Sequence, residues 1–218
     1  MAKKKLTIKG ITFPNFGDDD SKKNFRLIFY IGYTDKDGNE AVETVTKPAT
    51  GHWQWRKASK DAFLKPKLTG DSAELDTIVL KNGDGNKIPA GSNKIAEIDG
   101  EITDVTVQFM DVHDKTPIDF LVKSVLPELI EVWKASGFDP IAVAPVPGII
   151  KGIIKDKVNL EELADQAAAF FKKKLKDKML HSISIETDGE NPTVLKEDNV
   201  EWGDDKKTGT YAVKIGVA

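Results

Sequence analysis

The chain has 218 residues, 31% of them charged, a formal net charge of −3 and no cysteine. That length can bury a proper core without staples, as one generous domain or two small ones. Near-balanced charge argues against a nucleic-acid-binding surface or an acidic disordered tail. The missing thiols exclude disulfides, a cysteine nucleophile and cysteine-ligated zinc or iron–sulfur sites.

The opening M-A-K-K-K-L-T-I-K-G is basic, but no apolar segment of about 7–15 residues follows it as a secretory leader would require. The expectation is a soluble protein, cytoplasmic or exported without a visible signal peptide. Leu6, Ile8, Ile11 and Phe13 alternate with a phase slip at Gly10 that suits a bulge. N-F-R-L-I-F-Y-I-G-Y at 24–33 reads as a strand and meets E-A-V-E-T-V-T through D-K-D-G-N, a hairpin turn by its Asp-Gly chemistry. Further short strands are expected at H-W-Q-W-R, at D-T-I-V-L-K-N and at I-T-D-V-T-V-Q-F-M-D. In the last, Val105, Val107 and Phe109 face one way and Thr106, Gln108 and Met110 the other. Short strands punctuated by Gly, Asn and Asp predict a sandwich or barrel.

The period then changes. Ile118, Leu121, Val122, Val125, Leu129, Val132 and Trp133 fit one helical face, with Pro127 limiting the helix proper to about 127–136 and Gly137 stopping it. A proline-rich link follows. P-V-P-G-I-I-K-G-I-I-K-D-K-V reads as an apolar segment of a helical zone, either a buried connector or a membrane-active stretch. The stretch 141–154 contains two prolines and a lysine and is too short for a transmembrane helix. The clearest helix spans Leu160 to about Leu180. Asn159 is its N-cap, Glu162 stands at N3, acids lie at its start and lysines at its end. Its expected buried stripe is Leu160, Leu163, Ala164, Ala167, Phe171, Leu175 and Met179. Strands return with H-S-I-S-I-E-T and close with T-Y-A-V-K-I-G-V-A. The last must pair with the N-terminal sheet, which makes the helices an insertion. The expected organisation is a β-sandwich from 1–126 and 181–218, with a helical insertion, 127–180, packed on it.

Three stretches resemble the C2 domain family. L-T-I-K-G-I-T-F-P-N-F-G-D-D-D-S-K-K-N-F-R-L resembles its first strand and the acidic loop after it, with Asp18 and Asn24 at the two acidic places. T-G-H-W-Q-W stands where the family has an asparagine–proline pair and a tryptophan. D-V-H-D-K-T-P-I-D-F resembles its third loop, with Asp111, His113, Asp119 and Phe120 on the spacing. His113 and Asn24 depart from the family's aspartates, and the long helical insertion is unlike most members. The resemblance implies an eight-stranded antiparallel sandwich, mainly β, that binds calcium at one edge and then docks on phospholipid. The candidate ligands are Asp18, Asp20, Asn24, Asp111, Asp114 and Asp119, with Asp19, Asp20 and Asp114 as the neighbours near enough to compensate.

Clustered loop carboxylates suit calcium, which takes 6–8 oxygens at about 2.3–2.6 Å, and a divalent ion relieves their mutual repulsion. The same residues also fit plain turn chemistry. Thr116-Pro117-Ile118-Asp119 is a capping box with proline at N1, and Asp18–Asp20 fits a solvated turn. No nucleophile–base pairing, phosphate loop or zinc spacing is present, so the expectation is not an enzyme. It is a calcium-dependent module that engages anionic phospholipid or a protein partner, without nucleic acid. The runners-up are a self-assembling structural protein, forming a homo-oligomer, and a toxin-like protein whose inserted helices act on membranes.

Overall fold

In this computed structural model the described residues are 3–12, 22–48, 53–56, 68–69, 72–73, 81–82, 86–87, 94–111, 126–140, 149–156, 158–175, 178–186, 194–202 and 207–218. The first strands are β1 (Lys4–Thr12), β2 (Lys22–Asp35), β3 (Glu40–Lys47) and β4 (Trp53–Arg56). Short pieces follow: β5 (Leu68–Thr69), β6 (Ser72–Ala73), β7 (Lys81–Asn82) and β8 (Asn86–Lys87). Then come β9 (Lys94–Ile98) and β10 (Gly100–Asp111). Helix α1 (Leu126–Ala135), β11 (Phe138–Pro140), β12 (Ile149–Ile154) and helix α2 (Leu160–Leu175) lie between β10 and β13 (Lys178–Glu186). The described chain closes with β14 (Val194–Trp202) and β15 (Lys207–Val217). The topology is mainly β with a helical insertion between strands.

One sheet runs β14-β15-β1-β6-β5, with β9 also on β1, and a second runs β11-β12-β3-β2-β10-β13, with β4 also on β2. As expected, the final strand returns to the first: Leu6 pairs with Val217 and Ile11 with Val213, and the register slips between Ile8 and Gly10. The alternation on β10 also holds. Val105, Val107 and Phe109 join Phe25, Leu27, Phe29 and Ile31 of β2 in one apolar cluster. Leu6, Ile8, Val213 and Ile215 enter the same cluster from the other sheet. Each such side chain, fully withdrawn from water, contributes about 1.5–3 kcal/mol.

The opposite face of β2, β3 and β10 is also buried, because the insertion covers it. Ile28, Tyr30, Val42 and Met110 meet Leu129 and Trp133 of α1 and Leu160, Leu163, Ala164, Ala167 and Phe171 of α2. Leu129 and Trp133, four apart, form the contact stripe of α1, whereas Val132 points away and is 39% exposed. Its expected place on the buried face is corrected accordingly. α2 begins where its cap predicts: the Glu162 amide donates to Asn159 Oδ1 at 2.7 Å. Asn159→Ala should remove this bond and lower unfolding free energy by about 1 kcal/mol. Urea titration should show a reduced midpoint with unchanged slope.

Two boundaries differ from expectation. Ile149–Ile154 is a strand, not part of a helical zone: Ile149 pairs with Val45 and Ile153 with Ala41. β11 pairs beside it, Phe138 against Ile154. Gly152 permits this hairpin, since a Cβ there would stand 2.3 Å from Phe138 Cζ. Gly137, at φ +94°, ends the α1 segment as expected. α2 stops at Leu175 rather than near Leu180, because Lys178 and Met179 are drawn into pairing with Asp111 and Met110. Met179 is therefore in a strand and not in the helical stripe.

Candidate functional site

The antiparallel register of β10 on β2 ends with Met110 opposite Arg26 and Asp111 opposite Phe25. At the same end β4 joins β2, with Gln54 opposite Asn24 and Trp53 opposite Phe25. The backbone positions of Asn24 and Asp111 therefore lie on neighbouring strands, one step out of register, where the chain enters β2 and leaves β10. The remaining expected ligands, Asp18, Asp20, Asp114 and Asp119, lie outside the described residues, as do His113 and Phe120. Among the described residues no group of three or more His, Asp or Glu side chains is placed to hold a metal ion. The candidate ligand set offers carboxylate and carboxamide oxygens, the donor type a hard divalent cation takes.

The other acidic turn has a local explanation. Asp35 Oδ1 accepts from the Asp37 amide at 2.9 Å and from the Asn39 amide at 2.8 Å. Asn39 Nδ2 donates to Asp35 Oδ2 at 3.1 Å. These bonds hold the Asp35 carboxyl below its ordinary range, the Asn39 amide contributing most. D-K-D-G-N is turn chemistry, as its sequence predicts.

A polar line crosses the buried interface between sheet and helices. Tyr30 Oη donates to Gln108 Oε1 at 2.9 Å. Gln108 Nε2 donates to the Ala164 carbonyl of α2 at 2.6 Å. Trp133 Nε1 donates to the neighbouring Leu163 carbonyl at 3.2 Å. Burial, and secondarily Asp165, raises the Tyr30 phenol well above its ordinary value, so it stays a protonated donor. A shallow cleft beside this line, between Thr44, Thr46, Leu129, Trp133, Ile150 and Phe171, holds about one water's worth of space. It is packing slack rather than a substrate pocket.

Sequence reasoning missed a charged seam on the inner face of β3. Glu43 shares a face of β3 with Ala41 and Val45, and the residue is only 2% exposed. Lys151 stands opposite it on β12, with its Nζ 2.7 Å from Glu43 Oε2. Burial raises the Glu43 carboxyl; Lys151 and then Lys94 pull it back in part. The period-two alternation of β3 would have flagged Glu43 as inward, but its partner comes from a strand not read as one.

No family model, no curated protein and no solved structure matches this chain. None of the described helices is long and apolar enough to cross a membrane.

Proposed function

We propose that this chain is a non-catalytic, C2-like antiparallel β-sandwich that binds calcium on an acidic loop edge and through it engages an anionic membrane or a protein partner. The carrying observation is the register of β10 on β2, with Asp111 opposite Phe25 and next to Asn24. Loops entering β2 and leaving β10 thus start from one end of one sheet. One of them carries Asp18 and Asp20, the other Asp114 and Asp119. Two further features support the sandwich: both sheets contribute to one apolar cluster, and β15 closes back on β1.

In this reading Asp18, Asp20, Asn24, Asp111, Asp114 and Asp119 are the calcium ligands. The bound ion reverses the sign of an acidic rim, which can then meet phosphate or carboxylate groups. The chain's own residues present oxygens and fix the spacing of the two loops.

Calorimetric titration with calcium tests this directly. Binding should appear, and at 100 times the dissociation constant it should add about 2.7 kcal/mol of stability by mass action. Asp111→Asn with Asp119→Asn should abolish both effects while leaving the calcium-free melt close to wild type. An unchanged melting temperature at millimolar calcium would sink the reading.

A further inference from the structure

Among the described residues, the seam around Glu43 brings lysines from both sheets toward one face. On the inner face of β3, Glu43, Val45 and Lys47 succeed one another, and the pairing of β12 with β3 ends at Ile149 opposite Val45. Lys47 therefore lies past the end of the described pairing of β12. From the other sheet, β9 runs against β3. Its Ile95 and Ala96 pack in the same cluster as Val45, and Lys94 opens the strand.

Charge pairing here is uneven. Lys151 is ion-paired with Glu43 at 2.7 Å and Lys94 with Glu97 at 2.5 Å. The side chain of Lys47, a half-buried residue, makes no hydrogen bond or ion pair with any described residue. Its ammonium is held below the ordinary lysine range first by burial and then by Lys94 beside it. Lys94 also pulls down the Glu43 carboxyl, in keeping with the contact between β9 and β3. Tyr33 lines the same face, its phenol raised first by burial and then by Glu43, Asp35 and Asp99. A half-desolvated ammonium next to a second cation is costly unless an anion sits between them.

We propose that Lys47 and Lys94 form a binding site for a phosphate-type oxyanion at the seam between the two sheets, with Lys151 left on Glu43. Lys47 comes from one sheet and Lys94 from the other, so the anion would bridge them. Lys94 is 45% exposed along its side chain, which leaves it able to turn from Glu97 toward a bound anion. Two lysine ammoniums act as point charges toward a multivalent oxyanion, without the planar fork that arginine would impose. This site is separate from the calcium-binding reading and stands without it.

The test uses the full chain in chelator, so that calcium plays no part. Inorganic phosphate is titrated against potassium chloride at matched ionic strength, and the melting temperature is read. Phosphate should raise it by mass action beyond the chloride control, and Lys47→Met should remove most of that rise. Lys94→Met, at an exposed position that threatens folding less, should weaken apparent phosphate affinity by about tenfold or more. Equal shifts in phosphate and chloride, or an unaltered phosphate response in both variants, would overturn the proposal. Sedimentation with phosphatidylcholine vesicles, plain or carrying phosphatidic acid, then identifies the source. Retention by the phosphatidic acid vesicles that free phosphate and Lys47→Met both abolish assigns a lipid headgroup. A phosphate response without retention assigns a soluble anion.

Discussion

Replacing Trp133 with alanine is expected to lower the free energy of unfolding by about 3–5 kcal/mol, the range for deleting a buried large aromatic. Trp133 is 1% exposed and sits where three elements meet. Its ring packs edge-on to Tyr30, with centroids 6.1 Å apart, and to Phe138 at 5.6 Å. Its indole nitrogen reaches the Leu163 carbonyl of α2. Each aromatic pair contributes about 0.5–1.5 kcal/mol beyond area burial, so the cavity would cost contacts to sheet, hairpin and second helix together. Against a usual total of about 5–15 kcal/mol, this is a large share. Guanidinium titration should show a strongly reduced midpoint. Trp133→Phe, which keeps an aromatic ring but loses the N–H donor, should recover more than half of the deficit. A loss under about 1 kcal/mol for the alanine variant would mean that the insertion does not depend on this contact.

What could be read in the chain beforehand was local. The bulge at Gly10, the Asp35 turn, the Asn159 cap and the alternation of Val105, Val107 and Phe109 each depend on residues within a few positions of one another. β12 was not legible. I-I-K-G-I-I carries no decisive period, and its strand conformation comes from pairing with Ala41–Val45, about a hundred positions away. The end of α2 failed for the same reason, since the helical stripe continues in sequence to Met179 while β10 claims that residue for a sheet. Tertiary pairing overrode a local pattern in both cases.

The candidate site divides in the same way. Asp111 could be placed at the end of one strand because the alternation before it is strict, and Asn24 near the start of another because 24–33 is so rich in β-formers. Their adjacency needed the β2–β10 register, which no spacing in the sequence encodes. The outer face of β10 makes a related point. Thr106 and Gln108 look like solvent-facing residues, yet both are buried. An amide at 108 is tolerated there because Tyr30 and the Ala164 carbonyl satisfy both of its ends.

Lys151→Met should be destabilising by about 3 kcal/mol at pH 7, the lower end for removing one partner of a buried ion pair, and the penalty should shrink in acid. The asymmetry of the pair explains why. The Lys151 side chain is 31% exposed, and that of Glu43 3%, so a lone lysine could hydrate while a lone glutamate could not. In the wild type the folded carboxyl already holds its proton more tightly than an ordinary glutamate, burial outweighing Lys151 and Lys94. Its contribution to stability is thus fully present below the unfolded value and declines as pH rises through the raised folded one. Without Lys151 the folded value climbs further, so the decline becomes larger and extends to higher pH. The difference between variant and wild type should therefore be small near pH 4 and widen steadily toward neutrality, as measured by urea titrations across that range. Adding Glu43→Gln to Lys151→Met should flatten the profile and restore most of the loss, because no buried charge remains to be left unpaired. A penalty for Lys151→Met that is the same at pH 4 and pH 7 would show that Lys151 acts through packing of its stem alone.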